Sequence, residues 1–216
     1  MIGLVALTMG IMFGLPKLTK KLPEALIAIL VVIYLGEIQI DSMHGVLGVY
    51  HLPDFFATLF TVFVVIVITN GFNLIDGVDG LAGGVGVIAA LSFGFIAVMM
   101  GQSDMAIIAF SLAGALLAFL RYNFNPAKIF MGDTGSLVVG MILSVLAINT
   151  IRCGLVIEDM SMPNKGPLMA IVFLAIPLFD SLRVFVVRAS KRKGPLRPGR
   201  DHIHHALLDL GFDHKK

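Results

Sequence analysis

The stretch from Phe55 to Gly84, FFATLFTVFVVIVIT followed by NGFNLIDGVDGLAGG, decides the fold. Its first half carries no charge and, with its neighbours, reaches the ~20 apolar residues a helix needs to cross a bilayer. Its second half sets Asp76 and Asp79 among Gly71, Gly77, Gly80, Gly83 and Gly84, where such a helix meets water. Carboxylates there are costly unless they hold a cation or line a polar site, so they point to function before they point to a solvated loop. The glycines let backbone approach a ligand and adopt turns closed to other residues.

The rest of the chain has the same character. Its 216 residues are 57% hydrophobic and 14% charged, with a mean hydropathy of +0.94, which excludes a soluble domain. The formal net charge of +2 says little until the charges are placed. A single cysteine, Cys153, excludes an intramolecular disulfide and reads as a packing residue. The opening MIGLVALTMGIMFGLP lacks the basic flank and small-residue cleavage site of a secretory signal, so it reads as a retained span.

Apolar runs bounded by charge, Pro or Gly predict seven spans, at Ile2–Leu15, Leu22–Gly36, Phe55–Asn73, Leu81–Gly101, Met105–Leu120, Gly135–Ile151 and Pro167–Val187. These runs are continuously apolar, whereas a membrane barrel alternates residue by residue. The expected architecture is an all-α integral membrane protein, a polytopic bundle over residues 1–190 with a basic, His-containing tail loop over 191–216 that belongs to the same site. Glu37–Asp54 mixes β-branched residues with a glycine turn and predicts a short hairpin. Its His44 and His51 lack acidic or cysteine partners at ligand spacing and read as ordinary loop residues.

Charge placement predicts the orientation. With the C-terminus inside, Lys17, Lys20, Lys21, Arg121, Lys128, Arg188, Lys191, Arg192, Lys193, Arg197, Arg200, Lys215 and Lys216 become cytoplasmic, while Arg152 and Lys165 fall outside. The outer loops then hold Glu37, Asp41, Asp54, Asp104, Glu158 and Asp159. This is a positive-inside pattern. It puts Asn70–Gly84, the loop around Asp133 and the basic tail on the cytoplasmic face.

Two further stretches share that face. In Arg121–Ser136, RYNFNPAKIFMGDTGS, Asn123, Asn125 and Pro126 turn the chain, Lys128 supplies a cation, and Gly132-Asp133-Thr134-Gly135-Ser136 opens the next helix. Asp133 at a helix start reads equally as an ordinary N-cap. Against that, a helix start offers N–H groups to a phosphate, and Asp133 with Asp76 and Asp79 makes three hard oxygen ligands for Mg²⁺, with Mn²⁺ as the alternative ion. In the tail, KRKGPLRPGRDHIHHALLDLGF, the string His202, His204 and His205 has no cysteine and makes no tetrahedral zinc site. Arg200 beside three imidazoles reads as a clamp for a pyrophosphate. Acids for a metal, glycines for a phosphate, and Arg with His to neutralise it are the equipment of phosphoryl transfer; the membrane setting makes one substrate a lipid.

NGFNLIDGVDGLAGG, NFNPAKIFMGDTGS and RDHIHH, in this order, resemble the signatures of the polyprenyl-phosphate N-acetylhexosamine-1-phosphate transferases, and the similarity runs from about Leu22 to Gly211. The resemblance implies transfer of a sugar-1-phosphate from a UDP-sugar to undecaprenyl phosphate, with release of UMP and use of Mg²⁺, at the bacterial inner membrane. It implies catalytic roles for Asp76, Asp79 and Asp133, with Asp133 the metal ligand. It implies substrate-binding positions at Asn73, Asn123, His202, His204 and His205, to which Lys128 and Arg200 are added from their charge. Asp201-His202-Ile203-His204-His205 looks like the GlcNAc-1-phosphate branch, while three consecutive histidines mark the muramoyl-pentapeptide branch, which stays open as the alternative. A homodimer is admitted and a nucleic-acid partner is not expected.

Members of that family also carry helices upstream, a basic substrate-binding motif and an adjacent aspartate pair at an early span. The corresponding region here reads IMFGLPKLTKKLPEAL, without an aspartate. The expectation is an N-terminally truncated member that binds its substrates weakly and turns over slowly, or a paralogue that binds polyprenyl phosphate or a partner without turnover. A transporter would also use intramembrane carboxylates, but it would not need the Arg-His tail.

Overall fold

The computed structural model describes residues 38–43, 45, 48–153 and 165–190. The described residues form six helices: α1 Asp54–Ile75, α2 Leu81–Met99, α3 Ser103–Asn123, α4 Gly132–Cys153, α5 Gly166–Phe173 and α6 Ala175–Ser190. Helices α1 to α4 are each long and apolar enough to cross a membrane, and α5 with the first part of α6 passes the same test as a pair bent by 73°. Five of the seven expected spans therefore coincide with helices. The other two, Ile2–Leu15 and Leu22–Gly36, lie outside the described residues.

The helix ends follow from local chemistry. Asp104 and Arg121 occupy the first and last turns of α3, and Asp133 and Arg152 those of α4, each opposing the end charge of its helix. Helix α2 ends where Gly101, at φ 70°, donates to Val98 O at 3.0 Å while Gln102 N–H donates to Ala97 O at 2.8 Å. That pair of bonds is a Schellman close, and it reverses the chain into α3. At the 73° bend, Pro177 has no N–H to offer the carbonyl four residues earlier, at Phe173, where α5 stops.

Side-chain exposure fits a lipid solvent. Phe55, Leu59, Phe63 and Ile66 lie along one face of α1 and are all exposed, a stripe that hydrocarbon accepts and water does not. The protein is an all-α membrane protein in its described residues. The expected hairpin over Glu37–Asp54 reduces to one isolated antiparallel bridge, Ser42 with His51, and no strand forms among the described residues.

Packing divides the chain into two compact units. Within Met1–Ile66 and Ser144–Ala170, buried Thr61 accepts the Ile40 N–H at 2.9 Å and returns its own proton to Ala57 O at 2.7 Å. Gln39 Nε2 donates to Asp54 O at 3.0 Å and Thr58 Oγ1 at 3.1 Å, which fixes the segment ahead of α1 onto that helix. Within Val67–Leu143 and Ile171–Lys216, helices meet at small residues. A Cβ on Gly140 would stand 2.8 Å from the Cα of Thr69, and one on Gly71 would stand 2.7 Å from Ser181 Oγ. Close backbone approach of this kind is how apolar helices gain contact where the surroundings are equally apolar.

Candidate functional site

The second unit carries the end of α1, the start of α4 and the loops joined to them. Asp76 follows the last residue of α1, so its carboxylate sits at a helix end that its own helix cannot cover. It is half-buried, and burial is the main reason its carboxyl is raised from the usual 3.8 to about 6. A hydrogen bond from the Gly132 backbone N–H pulls it down in part, and the negative charge of Asp133 raises it further. The loop after α1 is thereby tied to the first residue of α4.

Asn73, three residues earlier, makes a second tie. Its Nδ2 donates to Ser136 Oγ at 2.7 Å and reaches Asp133 Oδ1 at 3.5 Å. Asp133 itself is exposed. Helix α4 starts at Gly132, so Asp133 lies inside the first turn and is not the N-cap that its sequence equally suggested. The first N–H of that turn is spent on Asp76, which narrows what α4 has left to offer an anion.

Asp79 faces elsewhere. Its Oδ2 accepts the Ala127 N–H at 3.0 Å and Asn125 Nδ2 at 3.3 Å, so it organises the loop between α3 and α4. Asn123 works on the same loop. Its buried amide accepts the Gly80 N–H at 2.9 Å on Oδ1 and donates to Ile129 O at 2.8 Å from Nδ2. With both ends of the amide on backbone, Asn123 acts as a bracket between the two loops, a role its expected place in substrate binding did not suggest. Lys128 is exposed, and its backbone N–H closes the same loop onto Tyr122 O at 2.8 Å.

The three carboxylates expected to share one cation therefore divide. Among the described residues no group of three or more acidic, histidine or cysteine side chains is placed to hold a metal. Asp76 and Asp133 remain a pair close enough to repel, and a divalent cation relieves that repulsion. Mg²⁺ commonly binds one or two carboxylates and completes its shell with water and substrate phosphates, so the pair fits the ion while the trio does not form.

The glycines divide as well. Gly71 and Gly83 meet Ser181 and Leu120, so they serve helix packing, not a ligand. Gly80, at φ 77°, makes the turn into α2. Arg200, His202, His204 and His205 lie outside the described residues. Sequence reasoning passed over two residues. Ser136 stood inside a motif without being singled out, although its place three residues after Asp133 puts both on one face of a helix. Asp180 is 4% exposed on α6, a lone carboxylate inside the last apolar run and three residues from Arg183, and both are engaged by neighbouring groups. An acid in such a run marks a functional position by default.

The family model for glycosyl transferase family 4 matches residues 1–151, which include Asn73, Asp76, Asp79, Asn123, Lys128 and Asp133. A probable undecaprenyl-phosphate N-acetylglucosaminyl 1-phosphate transferase of Bacillus subtilis is 34% identical over 155 residues, 72% of this chain and 41% of the relative. A phospho-N-acetylmuramoyl-pentapeptide-transferase of Rubrobacter xylanophilus is 40% identical over 173 residues, 80% of this chain and 47% of the relative. An undecaprenyl-phosphate alpha-N-acetylglucosaminyl 1-phosphate transferase of Salmonella typhi is 29% identical over 208 residues, 93% of this chain and 54% of the relative. The chain spans about half the length of these curated relatives. With a model match over most of its residues and the motif aspartates inside that match, the chain belongs to glycosyl transferase family 4.

Proposed function

We propose that this protein belongs to a system that transfers a sugar-1-phosphate from a UDP-sugar to undecaprenyl phosphate at the cytoplasmic face of a bacterial inner membrane. The observation that carries the reading is the convergence of Asn73, Asp76 and Asp133 where α1 ends and α4 begins. The names of the relatives support the polyprenyl-phosphate acceptor and the phospho-sugar donor.

In the reaction, an oxygen of the lipid phosphate attacks the sugar-bearing phosphorus. The bond from that phosphorus to the bridging oxygen breaks, and UMP leaves with the electron pair. Asp133 and Asp76 would hold Mg²⁺, which when bound neutralises charge on the transferring phosphates. Asp79 and Asn123 act on the protein itself, by fixing the loop that carries Lys128. Exposed Lys128 adds a positive charge for the departing phosphate. Arg200, His202, His204 and His205 complete the proposed site as the pyrophosphate clamp.

The sugar is GlcNAc in this reading, because His202-Ile203-His204-His205 interrupts the run of histidines. The 40% identity to a muramoyl-pentapeptide transferase favours the second reading. Release of UMP from UDP-GlcNAc and from UDP-MurNAc-pentapeptide, each with undecaprenyl phosphate and Mg²⁺, separates the two. UMP from neither donor, with binding of polyprenyl phosphate retained, would leave a non-catalytic lipid-binding member.

A further inference from the structure

We propose that Ser136 is a positioning residue for the divalent site: by holding the amide of Asn73, it keeps an oxygen of Asp133 open to the cation. The inference rests on the divalent role proposed for Asp133 above.

Ser136 is fully buried one turn into α4. Its hydroxyl lies 3.1 Å from Gly132 O and 3.2 Å from Asp133 O, so its proton goes back to the first turn of its own helix. A serine that only back-bonds in this way needs nothing from another helix. This one also accepts Asn73 Nδ2 across from α1, at 2.7 Å. The hydroxyl then donates its one proton and accepts on one of its two lone pairs.

The same Nδ2 stands 3.5 Å from Asp133 Oδ1, at the outer edge of hydrogen bonding. Two acceptors therefore compete for one amide, and the neutral hydroxyl holds it at the shorter distance. An ionised carboxylate is ordinarily the stronger acceptor. Remove the hydroxyl and the half-buried amide has one partner left nearby. It closes on Asp133, turns that carboxylate toward α1 and occupies a lone pair that a cation needs.

Loss of the hydroxyl thus weakens divalent binding through Asn73, and through nothing else. The direct readout is Mn²⁺ binding, followed by the electron paramagnetic resonance signal of the free ion with the purified full chain in detergent. Ser136→Ala is expected to weaken Mn²⁺ binding ~3- to 10-fold, the range set by one net hydrogen bond. In an Asn73→Ala background the same substitution is expected to change nothing, because the competing amide is gone. Ser136→Cys, whose larger thiol accepts only weakly, is expected to act in the same direction and decides the matter where the alanine variant does not fold.

Equal losses in both backgrounds would overturn the proposal by showing that Ser136 acts through the fold of the helix start. Unchanged binding in Ser136→Ala would also overturn it, and would leave the divalent role of Asp133 standing. A parent chain that binds no Mn²⁺ would remove that role, and the positioning role with it.

Discussion

The backbone N–H of Gly132 donates to the carboxylate of Asp76, so the first residue of α4 partly stabilises a charge that burial at the end of α1 opposes. Burial prevails, and the group stands at about 6 in place of 3.8. Between those values the folded protein holds a proton that the unfolded chain has released. Stability is therefore greatest below 3.8 and is lost as pH rises through about 6. In metal-free detergent solution the melting midpoint should fall across that window, and in Asp76→Asn this part of the slope should vanish. A slope that survives the substitution would place the titrating group elsewhere.

The division of the carboxylates gives a contrast between neighbours. Asp133→Asn should weaken Mg²⁺ binding by at least the ~10-fold that loss of an outer partner costs a metal site. Asp79→Asn should leave the affinity nearly as it is, because Asp79 is occupied by Asn125 and Ala127. Calorimetry on the purified variants reads both. Equal losses at the two positions would restore the three-acid site.

What could be read in advance was what depends on one residue at a time. Phe55–Thr69 is apolar at every position, and a run of that kind has one outcome in a chain this hydrophobic, so α1 and its companions were visible from composition. Asp76 and Asp133 were legible because an acid at the end of such a run is costly anywhere. Partnership was not legible. Nothing in the sequence says that Asp79 faces Ala127 and not Asp133, since that depends on the path of a loop set by Asn123. Gly71 and Gly83 looked like ligand glycines because spacing alone does not tell which face of a helix meets a neighbour.

The orientation inferred from lysine and arginine placement remains a prediction about two loops. Single cysteines introduced at Asp104 and at Lys193, in a chain with Cys153 replaced, should be labelled by an impermeant thiol reagent from opposite sides. Position 104 should react from outside and position 193 from the cytoplasm. The reverse pattern would put the carboxylate face outside and end the case for a UDP-sugar donor.

Two glycines test the packing of the second unit. Gly140→Ala would bring a methyl to 2.8 Å from the Thr69 backbone, and backbone cannot step aside as a side-chain tip does. The expected loss is ~1–3 kcal/mol, as for other overpacked sites. Gly84, inside α2, meets nothing within 4 Å, so Gly84→Ala should be neutral or should gain up to ~1 kcal/mol from the stiffer chain. Melting midpoints that move together would show that the two helix faces are not packed as described.

Asn123 separates a bracket from a substrate contact. Its amide holds Gly80 and Ile129 with both ends and is 5% exposed, so its removal strands the buried Gly80 N–H, while the carbonyl of exposed Ile129 turns to water. Asn123→Ala should cost ~1–3 kcal/mol of stability for the buried Gly80 N–H left without a partner, and it should loosen the loop that carries Lys128. A bracket of this kind places groups for the reaction without touching the donor. Where turnover is measurable, kcat should therefore fall with the melting midpoint while the affinity for UDP-sugar, read by calorimetry, changes little. Asn123→Asp keeps the acceptor for Gly80 but sets a carboxylate oxygen against the Ile129 carbonyl in a buried place, so it should also be less stable than the parent. A variant with an unchanged midpoint and a weakened donor affinity would return Asn123 to the substrate-binding set.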